Sequence, residues 1–261
     1  MLDDIKKIAV IGAGAMGGAV VRGLIESGYP AERMWVSNPS AARLEPLKAL
    51  GASTCADNCA AAISADLVIV AVKPWILPGV AAELRAVLDP RTQEVAVIVA
   101  GVSCADLSSM FRCAAGVMPL SIVMPNTAMT LRKSMTFIVK ASGEPKLAPE
   151  AFAPLGAVRV IEERLLPAAT ALASCGIAYA LRYVRAAVEG GVELGFRASE
   201  AQDIVAATIE GAAALLGQPG ACAETEIDKV TTPCGLTIRG LNAMEAAGFT
   251  PAIIAGLKAG R

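Results

Sequence analysis

The chain has 261 residues, enough for one large or two ordinary domains with a sizeable apolar core, and two domains is the starting expectation. Its 23 Lys and Arg balance 24 Asp and Glu, which excludes a basic field able to draw nucleic acid or an anionic membrane surface and favours a small ligand. It contains no His, so the usual general acid and base near neutral pH and the commonest transition-metal ligand are both missing.

Residues 1–7 bring charges before any apolar run and carry no secretory pattern. The Cys residues number seven, are scattered and lack Cys-x-x-Cys spacing, which reads as small buried side chains rather than a disulfide framework or a metal site. A reduced, cytoplasmic protein without a metal is expected. From Lys7 to Val160, short β-branched runs alternate with amphipathic or Ala-rich stretches, the signature of βαβ units around a parallel sheet. The predicted strands are residues 8–11, 34–36, 67–72, 95–99, 122–124 and 135–139. The unbroken apolar run Leu67-Val68-Ile69-Val70-Ala71-Val72 predicts cover on both faces of the sheet.

After about residue 163 the texture changes, β-branched runs give way to Ala, and helical periodicity takes over. The predicted architecture is therefore α/β, with an N-terminal Rossmann-type domain at residues 1–163 and an all-helical domain at 164–261. Helices are predicted over 166–195, 199–216, 224–231, 237–247 and 250–258. Ser199-Glu200-Ala201-Gln202 reads as a capping box, and Thr250-Pro251 as a helix start with Pro at the first helical position. The uncharged run 165–181 falls short of the roughly 20 strongly apolar residues a membrane span needs. It also contains Pro167, Thr170, Ser174 and Gly176, so it predicts a buried Ala-rich helix. Several helices are apolar on most faces, notably over 204–216, which predicts cover from a second copy of the chain.

Gly12-Ala13-Gly14-Ala15-Met16-Gly17 follows the first strand and opens a helical run. The first Gly permits a tight turn, the second lets the backbone approach a pyrophosphate, the third lets helix and strand pack, and the helix start favours negative charge. An ordinary Gly-rich turn is the alternative, and the position at the first strand of a βαβ series favours dinucleotide binding. After the second predicted strand stands Val36-Ser37-Asn38-Pro39-Ser40, with Arg43 nearby and no carboxylate. An acidic residue there would hold a ribose 2′-hydroxyl and repel a 2′-phosphate, so NADP(H) is expected over NAD(H). Ala71-Val72-Lys73-Pro74 ends a buried strand at the edge where open α/β sheets bind ligands. Lys73 there either faces the cofactor or is simply solvated.

Together with these segments, Asp57-Asn58, Ala100-Gly101-Val102-Ser103, Met124-Pro125-Asn126-Thr127 and Thr231-Thr232-Pro233-Cys234-Gly235-Leu236-Thr237 resemble the pyrroline-5-carboxylate reductase family, in the same order and spacing over nearly the whole chain. The resemblance implies that Ile11, Gly12, Ala13, Gly14, Ala15, Met16, Gly17, Ser37, Asn38, Asn58, Ala71, Val72, Lys73, Pro74, Ile98, Val99 and Ala100 bind the cofactor. It implies that Asn126, Thr232, Cys234, Gly235, Leu236 and Thr237 bind the substrate, with Thr237 the catalytic candidate at the ring nitrogen. Independently of the family, the Pro-x-Gly-x-Thr turn before a helix at Thr237 offers unpaired N–H groups for a carboxylate, with capping by Thr237 as the plain alternative. The implied activity is NADPH-dependent reduction of a cyclic imino acid, 1-pyrroline-5-carboxylate, to L-proline by a cytoplasmic homodimer, with further assembly into a decamer left open.

Two segments depart from the family. Ala173-Ser174-Cys175-Gly176-Ile177-Ala178-Tyr179 stands where it has Ser-Gly-Ser-Gly-Pro-Ala-Tyr, and Cys234 replaces a Gly, a strain of about 1 kcal/mol if that position needs positive φ. Two rival readings are a 3-hydroxy-acid dehydrogenase and a catalytically weak dinucleotide-binding regulatory protein. The first would need a catalytic Lys on a buried helix, and the helical half has only Lys229 and Lys258.

Overall fold

A computed structural model describes residues 4–260, which divide into two compact units after Ser174. The first unit carries eight strands: β1 Ile8–Ile11, β2 Met34–Ser37, β3 Ser53–Cys55, β4 Leu67–Val70, β5 Glu94–Ile98, β6 Leu120–Met124, β7 Ser134–Ser142 and β8 Gly156–Val160. Between and after them lie helices α1 Ala15–Glu26, α2 Ala41–Lys48, α3 Asn58–Ala62, α4 Leu77–Leu84, α5 Cys104–Met110, α6 Leu147–Phe152 and α7 Leu166–Ala169, the last running into a π-helical turn, Thr170–Ser174. The second unit holds α8 Cys175–Glu193, α9 Ala198–Leu216, α10 Ala223–Lys229, α11 Leu236–Ala246 and α12 Phe249–Ala259.

The strands form one sheet in the order β3-β2-β1-β4-β5-β6-β7-β8. Its first six strands are parallel, and the chain's consecutive connections reverse direction across β1, the arrangement that opens a ligand crevice at the carboxyl ends of β1 and β4. Alternate residues of each strand enter opposite cores. Ile8 and Val10 pack with Val20, Leu24 and Phe152 on one face, while Ala9 and Ile11 pack with Leu77, Leu84 and Phe111 on the other. The continuous apolar runs are thus explained by two buried faces.

Three features differ from the sequence expectation. β7 runs antiparallel to β6, because the segment between Met124 and Ser134 is too short for the crossover that a parallel neighbour requires. β3 and β8 escape the strand pattern because each is a short or polar edge strand. At Gly156 in β8, a Cβ would lie 2.2 Å from the Ser134 carbonyl oxygen, so only glycine lets the two backbones pair. The third difference concerns the helical unit. α8 buries none of its residues, contrary to the buried helix expected from the run 165–181, and Ala201 is the one fully covered apolar side chain among the described residues of this unit.

Within the second unit, α8 and α9 approach closely where Gly191 faces Ala201, whose Cβ would sit 2.9 Å from a side chain added at Gly191. Tyr179 donates to the Gly256 carbonyl at 3.3 Å, and Tyr183 meets Phe249 edge-on at 6.4 Å. Helices α9 to α12 each start one residue earlier than expected, and at α9 and α12 this changes the cap. α9 begins at Ala198 with Glu200, not Gln202, reaching back to the Arg197 amide at 3.1 Å. α12 begins at Phe249 after Gly248 in the left-handed region, which moves Thr250 and Pro251 inside its first turn, where a missing N–H costs no helical bond. One helical stretch, Glu163–Glu193, is long and apolar enough by length and composition to cross a membrane, although Pro167 and the π turn interrupt its regular hydrogen bonding.

Candidate active site

The carboxyl ends of β1, β2 and β4 surround a cavity of about 610 Å³, lined by Gly12, Gly14, Ala15, Met16, Ser37, Asn38, Arg43, Asn58, Ala71, Val72, Lys73 and Ile98 among others. The glycines divide their work as the motif requires. A Cβ on Gly17 would lie 1.9 Å from the Gly12 carbonyl oxygen, and one on Gly12, at φ 99°, would lie 2.7 Å from that of Ala71. Both are packing glycines. A Cβ on Gly14 would instead project into open space, with the Arg43 guanidinium 3.7 Å away as its nearest neighbour. It is therefore the second glycine that keeps the backbone open to a ligand. α1 has neither a side-chain cap nor an acidic residue in its first turn, so its leading amides face the cavity uncompensated and favour an anion.

The opposite wall is a chain of side chains. Ser37 donates to Asn58 Oδ1 at 2.7 Å, and Asn58 Nδ2 donates to Glu83 Oε2 at 2.9 Å. Asn38 is turned back on its own loop, accepting from the Ser40 amide at 2.9 Å. A carboxylate therefore does reach the cavity, from α4 rather than from the end of β2. There the Asn58 amide occupies it, and the Arg43 cation lies on the side of the glycine turn. Of the sequence candidates, Ile11 and Ala13 are buried in the two cores, Gly17 lies beneath the glycine turn, and Pro74 is exposed beside the cavity without lining it.

A second, largely apolar cavity of about 250 Å³ shares Met16 and Ile98 with the first and adds Val99, Ala100, Val123, Met124, Pro125, Asn126, Thr127, Thr170 and Ser174. The two cavities adjoin at Met16 and Ile98 along the sheet edge, the one at the glycine end polar and the one at the β6 end apolar. Ile76, Val80 and Glu83 in the first cavity, and Thr170 and Ser174 in the second, were not singled out from sequence. The hydroxyls at 170 and 174, in a stretch otherwise apolar, were the available signal.

Thr232, Cys234, Gly235, Leu236 and Thr237 belong to the second unit. The Gly235 amide donates to the Thr232 carbonyl at 2.9 Å, closing a turn with Pro233 and Cys234 at its centre. Cys234 has φ 59°, the left-handed region that favours glycine. Gly235 is sterically required, because a Cβ there would lie 2.5 Å from Thr232 Oγ1. Gly235 is also the N-cap of α11, which places Thr237 at the second helical position instead of the cap, half-buried, below a helix start with no side-chain cap and no acid. The leading amides of α11 are thus free to meet an anion.

A family profile for pyrroline-5-carboxylate reductase dimerisation matches residues 163–261, and one for NADP oxidoreductases, coenzyme F420-dependent, matches residues 7–102. The chain is 31% identical to pyrroline-5-carboxylate reductase 2 of Dictyostelium discoideum, over 98% of its own length and 91% of that protein. The chain belongs to the pyrroline-5-carboxylate reductase family. A second relative, pyrroline-5-carboxylate reductase 1 of the same organism, is 36% identical over 96% of this chain, which spans 48% of that protein's length. Among solved structures, a pyrroline-5-carboxylate reductase from Coxiella burnetii superposes with a TM-score of 0.92 at 27% identity, covering 98% of this chain and 96% of that one. The Rossmann sheet and the helical second unit are thus the family's architecture.

The cysteines do not alter this picture. Burial pushes the Cys104 thiol up to about 11, helped by Glu163, and burial with Asp57 and Glu83 nearby raises Cys59. Cys222 is lowered by a hydrogen bond with Thr225 at 3.0 Å, but it is fully exposed and outside both cavities.

Proposed function

We propose that this chain catalyses the NADPH-dependent reduction of the C=N bond of 1-pyrroline-5-carboxylate to L-proline. The observation that carries this reading is the pair of adjoining cavities in the first unit. Its polar half has an open glycine turn, an uncapped helix start and Arg43, and its apolar half begins at the shared Met16 and Ile98. Gly12, Gly14 and the leading amides of α1 would hold the pyrophosphate, Arg43 and Ser40 a 2′-phosphate, and Ile98, Val99 and Ala100 the nicotinamide end. NADPH, when bound, supplies the hydride. Met124, Pro125 and Val123 give the apolar half a dry wall that excludes water from the reacting carbon.

No strong general acid is needed, because an imine taken up protonated from solution is already electrophilic, which suits a chain without His. We assign the turn at residues 232–237 to the substrate carboxylate through its free amides, and the Thr237 hydroxyl to the reacting nitrogen. A hydroxy-acid dehydrogenase is disfavoured, since Lys229 is exposed and paired with Glu226 at 2.6 Å. The protein is read as a cytoplasmic homodimer in which the apolar faces of α8, α9 and α12 meet a second copy, not lipid.

The test is NADPH oxidation by the purified chain with 1-pyrroline-5-carboxylate and, separately, its six-membered homologue. Binding of NADPH without turnover of either would overturn the reading. Arg43→Ala should raise the KM for NADPH roughly 10- to 100-fold while leaving that for NADH nearly unchanged, as expected for loss of a charge-assisted contact to a phosphate. Equal effects on both cofactors would remove Arg43 from the 2′-phosphate.

A further inference from the structure

The outer wall of the apolar cavity is made of two segments distant in sequence, the loop after β6 and the π-helical turn Thr170–Ser174. A side-chain hydrogen bond ties one to the other. Asn126 Oδ1 accepts from the Ala128 amide at 3.1 Å, which starts the short helical turn Thr127–Leu131, while its Nδ2 donates to the Ala173 carbonyl at 3.3 Å. Thr170 donates its hydroxyl to the Leu166 carbonyl at 2.8 Å, and its Oγ1 rests against Met124 Sδ at 2.9 Å. The Asn126 amide is itself fixed by Ser134 Oγ at 3.1 Å, and the residue is only 5% exposed. Both polar atoms of its carboxamide are therefore engaged within the protein.

The π turn shifts the helical hydrogen-bond ladder from i+4 to i+5 partners just before α8, and its Ala173 carbonyl also takes a donor from outside the helix. At Ala173 that donor is Asn126. The next residue, Ser174, lines the cavity with a hydroxyl that has no hydrogen-bond partner among the described residues. We propose that Asn126 is a positioning residue, which holds the Ala173 carbonyl and thereby sets Thr170 and Ser174 in the cavity wall, and that it does not itself bind the substrate. This rests on the reductase reading of the crevice.

Asn126→Asp separates the two contacts. It keeps an oxygen for Ala128 but turns a second oxygen, in place of the donor, toward the Ala173 carbonyl. When protonated, that oxygen donates as the amide did. No other residue lining the cavity carries an ionisable side chain, so the new carboxyl is what titrates in this wall. Relative to wild type at the same pH, kcat/KM of Asn126→Asp should be down roughly tenfold at about pH 8 and recover toward parity near about pH 5.5, the scale expected when a reacting geometry is slightly misplaced. Asn126→Ser, which can still accept from Ala128 but is too short to reach Ala173, should keep its deficit at every pH.

A pH-independent ratio for Asn126→Asp, or a fully active Asn126→Ser, would overturn the proposal. The melting temperature reports on the tie without catalysis, since the gap between Asn126→Asp and wild type should close as pH falls. If wild type proves inactive while that gap closes, the reductase reading falls and the tie stands. If the gap stays constant, the tie falls whatever the activity.

Discussion

Glu94, at the start of β5, is 4% exposed, and its carboxylate accepts from the amides of Lys146 at 2.6 Å, Leu147 at 2.8 Å and Ala148 at 2.9 Å. Those are the leading donors of α6, whose N-cap, Lys146, has no side chain able to accept them. One side chain thus fastens the base of the strand that carries Ile98 to the helix packed over it. Glu94→Ala leaves three donors without their acceptor. A buried donor left unpaired costs about 1–3 kcal/mol. Lys146 is exposed and Leu147 half-buried, so water can serve two of the three, and the removed carboxylate no longer has to be desolvated. The lower part of the range therefore applies, about 3 kcal/mol in all, a large share of the 5–15 kcal/mol that typically separates folded from unfolded. Glu94→Gln retains one acceptor and should lose about half as much. Urea unfolding followed by tryptophan fluorescence measures both, with Trp35 in β2 reporting on the first unit. If Glu94→Ala lies within about 1 kcal/mol of wild type, or Glu94→Gln proves as damaging as Glu94→Ala, the carboxylate is not the cap described.

The glycine turn yields a paired prediction. Gly17→Ala forces a Cβ against the Gly12 carbonyl and should lower both melting temperature and NADPH affinity. Gly14→Ala meets nothing closer than 3.7 Å, so it should melt like wild type yet bind NADPH roughly tenfold or more weakly. In the second unit, Cys234→Gly should stabilise by up to about 1 kcal/mol and Cys234→Val should destabilise, since only glycine adopts positive φ without strain; calorimetry that found the reverse order would contradict the φ of 59°. Tyr29 is buried, with its hydroxyl on the Ile5 carbonyl at 3.0 Å, and burial pushes it up to about 12. Its contribution is complete below the unfolded value near 10 and is lost as pH rises toward 12, because only the unfolded chain releases the proton over that interval. Tyr29→Phe should flatten that part of the stability profile relative to wild type by about 2–3 kcal/mol, measured by urea unfolding across alkaline pH.

Much of the first unit was legible because its signals are local. Ile8 to Ile11, the three glycines and the helix behind them form one contiguous run, and the roles of Gly12, Gly14 and Gly17 follow from contacts within that run and with the next strand. The reversal at β7 was missed, although the gap between Met124 and Ser134 leaves no room for the crossover helix that a parallel neighbour needs. What stayed hidden depends on residues brought from afar. Glu83 reaches the cavity from α4, and Thr170 and Ser174 reach it through a π turn that periodicity does not reveal. The N-cap of α9 was misplaced because Ser199 looks like a cap in sequence, while the carboxylate of Glu200 reaches one turn further back to Arg197. The burial expected of α8 failed because apolar composition does not say whether the covering atoms belong to the same chain.

Ala201 alone is fully covered among the described residues of the second unit, while Leu194 stands 85% open and Leu236 80%. A helical body so thinly filled gains its cohesion by mass action from association. Its unfolding midpoint should therefore climb with protein concentration and fall on dilution.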